Sequence, residues 1–73
     1  MITTYYKIPS PNGNKENIEV YGDGEMGWYE YRIMRGAIAV IDTGKESGTG
    51  REYGCAEIAL RDALMFATDI SPK

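Results

Sequence analysis

The chain has 73 residues, 8 basic and 11 acidic, for a formal net charge of −3, with one cysteine and no histidine. That length accommodates a single small domain, residues 1–73, of a size that hides only about 60% of its unfolded surface. The lone cysteine excludes an intrachain disulfide and a thiolate metal cluster, and the acidic balance argues against electrostatic binding to nucleic acid or an anionic membrane.

Ile2 to Ile8 alternates in strand fashion. Ile2, Thr4, Tyr6 and Ile8 are expected on one face, and Thr3, Tyr5 and Lys7 on the other. Pro9 is expected to end the pairing, since proline has no N–H for a ladder. Pro9 to Asn17 is a loop dense in turn formers, with Asn12-Gly13 at its tip. Asn17 to Tyr21 reads as a second strand with Ile18 and Val20 inward. Gly22 to Gly27 is a glycine-rich turn whose acids lack the alternating ligands and closing glutamate of a calcium loop.

Trp28 to Arg35 is the clearest strand. Tyr29, Tyr31 and Ile33 form its core face, while Trp28, Glu30, Arg32 and Met34 set charge beside aromatic on the other. Trp28 and Tyr21 are expected to form an exposed aromatic platform, of the kind that stacks bases, although the acidic balance weighs against that use. Arg35-Gly36 reverses the chain into Ala37 to Ile41, which is apolar on both faces. A strand buried on both sides, or at the centre of the sheet, reads that way.

Asp42-Thr43-Gly44 leaves the strand, and Gly44 to Gly54 is expected to be a spacer or flexible lid. It is not a phosphate-binding loop. Gly44-Lys45 is followed by Glu46 and lacks the earlier glycine, Tyr53 stands where the dinucleotide pattern needs glycine, and Glu46 and Glu52 would repel phosphate.

Tyr53 to Ile70 carries the only long helical period. Ala56, Ala59, Leu60, Ala63, Leu64, Phe66, Ala67 and Ile70 share one broad face, with the alanines down its middle to let the helix sit close on a sheet. Gly54 is the expected N-cap, Glu57 falls in the first turn where the helix dipole favours it, and Ser71-Pro72 ends the helix. Ile58 and Met65 break the pattern. They lie seven positions apart, nearly in line on the polar face, among Arg61, Asp62 and Asp69. Either a loop or the N-terminal arm covers them, or they are scattered surface hydrophobes, or they form a small contact patch with a charged rim.

Without histidine, nucleophilic triads lose their usual base. Cys55, expected in the first helical turn with Arg51 near in sequence, is the best nucleophile but has no partner base, and a buried, inert thiol is expected. Asp42 with Glu46 or Glu52 offers carboxylate pairs for acid/base work, but nothing specifies a pocket for them. A non-enzymatic chain with no catalytic residue, no cofactor and no metal is therefore expected. No apolar run spans a bilayer and the N-terminus lacks a signal pattern, which together with one free thiol points to the cytoplasm.

Trp28-x-x-Tyr31-x-Ile33, the hairpin Gly36, and Tyr53-Gly54-x-x-Glu57-x-Ala59-x-x-x-Ala63 resemble a broad set of small, mostly uncharacterised bacterial and prophage proteins. The resemblance covers residues 27–69. It implies a Trp/Tyr strand hairpin, a loop and one alanine-rich helix, and it carries over no catalytic residue. In size, acidity and lack of chemistry the chain is also similar in style to phage-encoded inhibitors of host defence, anti-CRISPR proteins among them. The double-stranded RNA-binding domain shares a three-strand sheet with a following helix, but this chain lacks its leading helix and its lysine cluster.

The expected fold is α+β: an antiparallel sheet of three or four strands in the order β-β-β-β-α, with one C-terminal helix across one face. The expected function is a protein-binding module, a phage or mobile-element regulator that inhibits a host complex. Ile58, Met65, Arg61 and Asp62, the sheet face of Trp28, Glu30 and Arg32, or acidic loops imitating nucleic acid charge would carry the contact. The alternatives are a homo-oligomer, such as a homodimer, meeting itself through the open sheet face or the edge of the first strand, and a nucleic-acid binder using Trp28, Arg32 and Arg35.

Overall fold

The computed structural model describes residues 1–11, 15–46 and 53–69. Strands β1 (Thr3–Pro9), β2 (Asn17–Asp23), β3 (Trp28–Arg35) and β4 (Ile38–Asp42) are followed by a short helix α1 (Thr43–Glu46) and a long one, α2 (Ala56–Asp69). The strands form one open antiparallel sheet in the order β1-β2-β3-β4, and α2 packs on one face of it. This is the expected α+β architecture, with α1 as an addition.

Turn chemistry sets the hairpins. Gly27 and Gly36 close the β2–β3 and β3–β4 turns at φ 78° and 62°, a left-handed conformation that costs glycine little. Asp23 holds the first turn, its Oδ1 accepting from the Glu25 and Met26 N–H groups at 3.0 and 3.2 Å.

Ile18 and Val20 of β2, Tyr31 and Ile33 of β3 and Ile41 of β4 line the buried face. Above them run Ala56, Ala59, Ala63 and Ala67, all buried, with Leu60, Leu64 and Phe66 on the flanks. The alanine seam faces inward because a methyl row lets the helix backbone approach the sheet, while bulkier residues fill the space to either side. Cys55 caps α2, one residue later than the expected Gly54, since the Cys55 carbonyl accepts the Ala59 N–H at 3.3 Å. Glu57 lies in the first turn, as expected.

Several strand expectations are corrected. Pro9 does not end the pairing: it lies opposite Asn17, and the Ser10 N–H still reaches the Glu16 carbonyl at 2.7 Å. Alternation of the antiparallel ladder turns the Pro9 nitrogen toward the open edge, where no donor is needed. A bulge between Thr4 and Tyr6 breaks the alternation of β1. It turns Thr4 to the outer face opposite Tyr21, while Tyr5 packs edge-on against core-side Tyr29 at 5.3 Å. Ile2 is exposed rather than inward.

β4 is neither central nor buried on both faces. It is an edge strand whose Ile38, Ala39 and Val40 are open to solvent, and only Ile41 and Asp42 are covered. Both ends of the expected lid take regular structure. Thr43–Glu46 is helical, and the chain returns at Tyr53, which pairs with Tyr29 through an N–H···O bond of 2.9 Å. Continuing the β4 register would bring residue 45 to that place beside β3, and Tyr53 occupies it instead through an isolated bridge. Expectations for Asn12-Gly13, Arg51, Glu52, Ile70 and Ser71-Pro72, and for the side chains of Glu46 and Asp69, fall outside what is described.

Candidate functional site

On α2 the residues opposite the alanine seam face away from the sheet. Ile58 is 39% exposed and Met65 61%, and seven helical residues separate them by roughly 10 Å along the axis. Between them stand Arg61 and Asp62, whose Nε and Oδ1 atoms are 3.9 Å apart. At that separation and exposure the pair adds little stability, and both charges remain open to an incoming group. At the start of the helix Glu57 accepts a hydrogen bond from the Tyr6 hydroxyl at 2.9 Å. That bond holds the Glu57 carboxyl below its usual range and raises the Tyr6 phenol, and it ties β1 to the helix.

Trp28, Glu30 and Arg32 lie on the far side of the sheet from α2, because they alternate with Tyr29, Tyr31 and Ile33 along β3. The residues expected to form a contact surface thus split into two groups on opposite sides of the domain. Glu30 is removed from either. It is 2% exposed and accepts a 2.6 Å bond from the Thr43 hydroxyl, so it is a structural group and does not face a partner. Thr43 also accepts the Tyr31 N–H at 3.0 Å, supplying by side chain the ladder bond that β4 would have supplied had it continued.

Arg32 donates to Glu19 Oε1 at 2.7 Å and lies over the Tyr21 ring, 4.9 Å from its centroid. The Tyr21 hydroxyl donates a short hydrogen bond to Asp42 Oδ1, which also accepts the Gly44 N–H at 3.1 Å. A Cβ at Gly44 would collide with that hydroxyl, so a larger residue there would have to displace Tyr21 from Asp42. Burial first, then the bond to Asp42 and the charges of Asp42 and Glu30, drive the Tyr21 phenol far above its usual pKa, with Arg32 opposing weakly.

The expected aromatic platform is not flat. Tyr21 and Trp28 meet at 86° with centroids 6.3 Å apart, an edge-to-face pair that leaves no common plane for a base. Arg32 and Arg35 point to opposite faces, and each already holds a carboxylate, Arg35 that of the buried Glu16 at 2.6 Å. Cys55 is half-buried at the helix cap. Beside β4 is an open depression of about 400 Å³ lined by Ala39, Val40, Ile41, Asp42 and Lys45.

Sequence reasoning missed two features. Glu16, placed in a loop, is buried against Arg35; its position next to Asn17 at the head of β2 was the available signal. Thr43 as a buried bridge left no signal, because its role depends on where β4 stops. The chain matches no protein-family model, no curated protein and no solved structure, so its own geometry carries the functional argument.

Proposed function

We propose that this chain is a small, non-enzymatic protein-binding module that meets its partner through the outward face of α2. The observation that supports this reading is the exposed pair Ile58 and Met65, set two helical turns apart beside the open charges of Arg61 and Asp62. Apolar residues at that spacing suit a groove or helix on a partner, and the charged rim fixes orientation. On the resemblance to phage anti-defence proteins, the partner is a component of a larger host complex and the module acts as a mobile-element inhibitor or regulator. No helix among the described residues is long and apolar enough to cross a membrane. The nucleic-acid alternative is weakened because Arg32 and Arg35 face opposite ways and are both ion-paired.

The test is the double substitution Ile58→Glu with Met65→Glu. Both sites are exposed, so the thermal midpoint should hold, while affinity for a partner retained by the wild-type chain should fall at least tenfold in calorimetry. Unchanged affinity rejects the surface. Unfolding of the double variant shows that the strip belongs to the core.

A further inference from the structure

Among the described residues both outer strands of the sheet present an open edge, and they are guarded unequally. β1 carries Lys7, Pro9 and a bulge at Tyr5, three devices that discourage a foreign strand. β4 has only the bulge at Val40; from Ala37 to Ile41 it holds no charge and no proline. Ile38 is 71% exposed and Val40 40%. A helix about 10 Å across roofs only two or so strands at ~4.8 Å spacing. Among the described residues α2 lies over β2 and β3 and reaches β1; on the helix side of β4 Ile41 is buried in the core while Ile38 stays exposed.

The same bulge makes β4 complementary to itself. Ile41 lies opposite Ile33 and Ile38 opposite Arg35, so Ile38 and Ile41 both point to the helix side although they are three residues apart. Without the extra residue they would point to opposite faces. A second β4 running antiparallel about a two-fold axis then sets Ile38 against Ile41 of the other copy, and Ala39 against its Val40. Asp42, the one charged residue in the paired stretch, falls opposite Ala37, so no like charges meet. An axis normal to the sheet keeps both α2 helices on one side and covers each Ile38.

We propose that β4 is a self-pairing strand through which two copies of this chain join their sheets. A seam of one short strand buries less than the roughly 800 Å² per partner of a standard interface, so the dimer is weak and concentration-dependent. This surface is separate from the α2 strip, and its failure leaves the reading of that strip untouched.

Sedimentation equilibrium from micromolar to millimolar concentration should show the mass rising from 8.1 kDa toward twice that value. Ile38→Lys should hold it at the monomer with unchanged circular dichroism. In a sample mixing differently labelled chains, the Ile38 methyls should show intermolecular contacts to Ile41. A wild-type chain that stays monomeric at millimolar concentration overturns the proposal, as does one that pairs only with an added foreign strand peptide. A dimer that survives Ile38→Lys, or lacks the Ile38–Ile41 contacts, overturns it equally. If Ile38→Lys does not fold, those contacts alone decide.

Discussion

On the helix side of the sheet, the side chains of Ile18, Val20, Tyr31 and Ile33 meet an alanine seam and bury apolar area against it. On the other side, Tyr21, Glu30, Arg32, Asp42 and Thr43 are held by hydrogen bonds and charge, under a single turn of helix. The first arrangement is non-directional and tolerates small shifts. The second works only while each donor keeps its acceptor, because a buried polar group that loses its partner costs more than the bond contributed. In a chain this short the apolar side supplies most of the stability, and the polar side fixes where β4 stops and α1 begins.

Three substitutions sharpen that contrast. Ile33→Ala, at the centre of the apolar side, should cost about 2–5 kcal/mol in urea melts, a large share of what a domain of this size holds. A loss below about 1 kcal/mol, small for a buried Ile-to-Ala change, would mean that the helix side is not where the stability lies. Thr43→Val keeps the shape but removes the hydroxyl that bridges Tyr31 and Glu30. It should cost about 1–3 kcal/mol, with hydrogen exchange at the Tyr31 amide accelerated more than in the rest of β3. Uniform acceleration would count against a local bridge.

Tyr21→Phe should have the smallest effect at neutral pH, about 1 kcal/mol. Its signature is in alkali. The Tyr21 phenol is raised in the folded state, so its contribution is complete below the unfolded value of about 10 and is lost as pH rises above it. The unfolded chain then binds fewer protons than the folded one, and stability falls. The difference between wild type and Tyr21→Phe should therefore shrink above pH ~10. A difference that is constant through that range would place Tyr21 outside the polar side's hydrogen-bond set.

The period of α2 and the alternation of β3 were legible because each repeats over many residues, and a repeat can be checked against itself. Ile18 and Val20 followed for the same reason. β4 was misread because it lies at the edge of the sheet, and β1 where a bulge at Tyr5 inserts one residue and puts Thr4 out of phase with core-side Tyr6 and Ile8. No local residue type announces such an insertion. Of the candidate contact residues, Ile58 and Met65 were recognisable as breaks in a helical pattern, and Arg61 and Asp62 as the polar face around them. The burial of Glu30 was not, because its cover comes from Thr43, outside its own strand.

Local periodicity and turn residues determined that this chain makes three or four strands and a long amphipathic helix, and which face of that helix turns inward. The fold itself decided that β4 lies at an edge, that the polar face closes over Glu30, and that the expected contact residues stand on opposite sides of the domain. Those outcomes depend on strand order and on how far one helix can reach. They are relations between distant segments that no single stretch of sequence encodes.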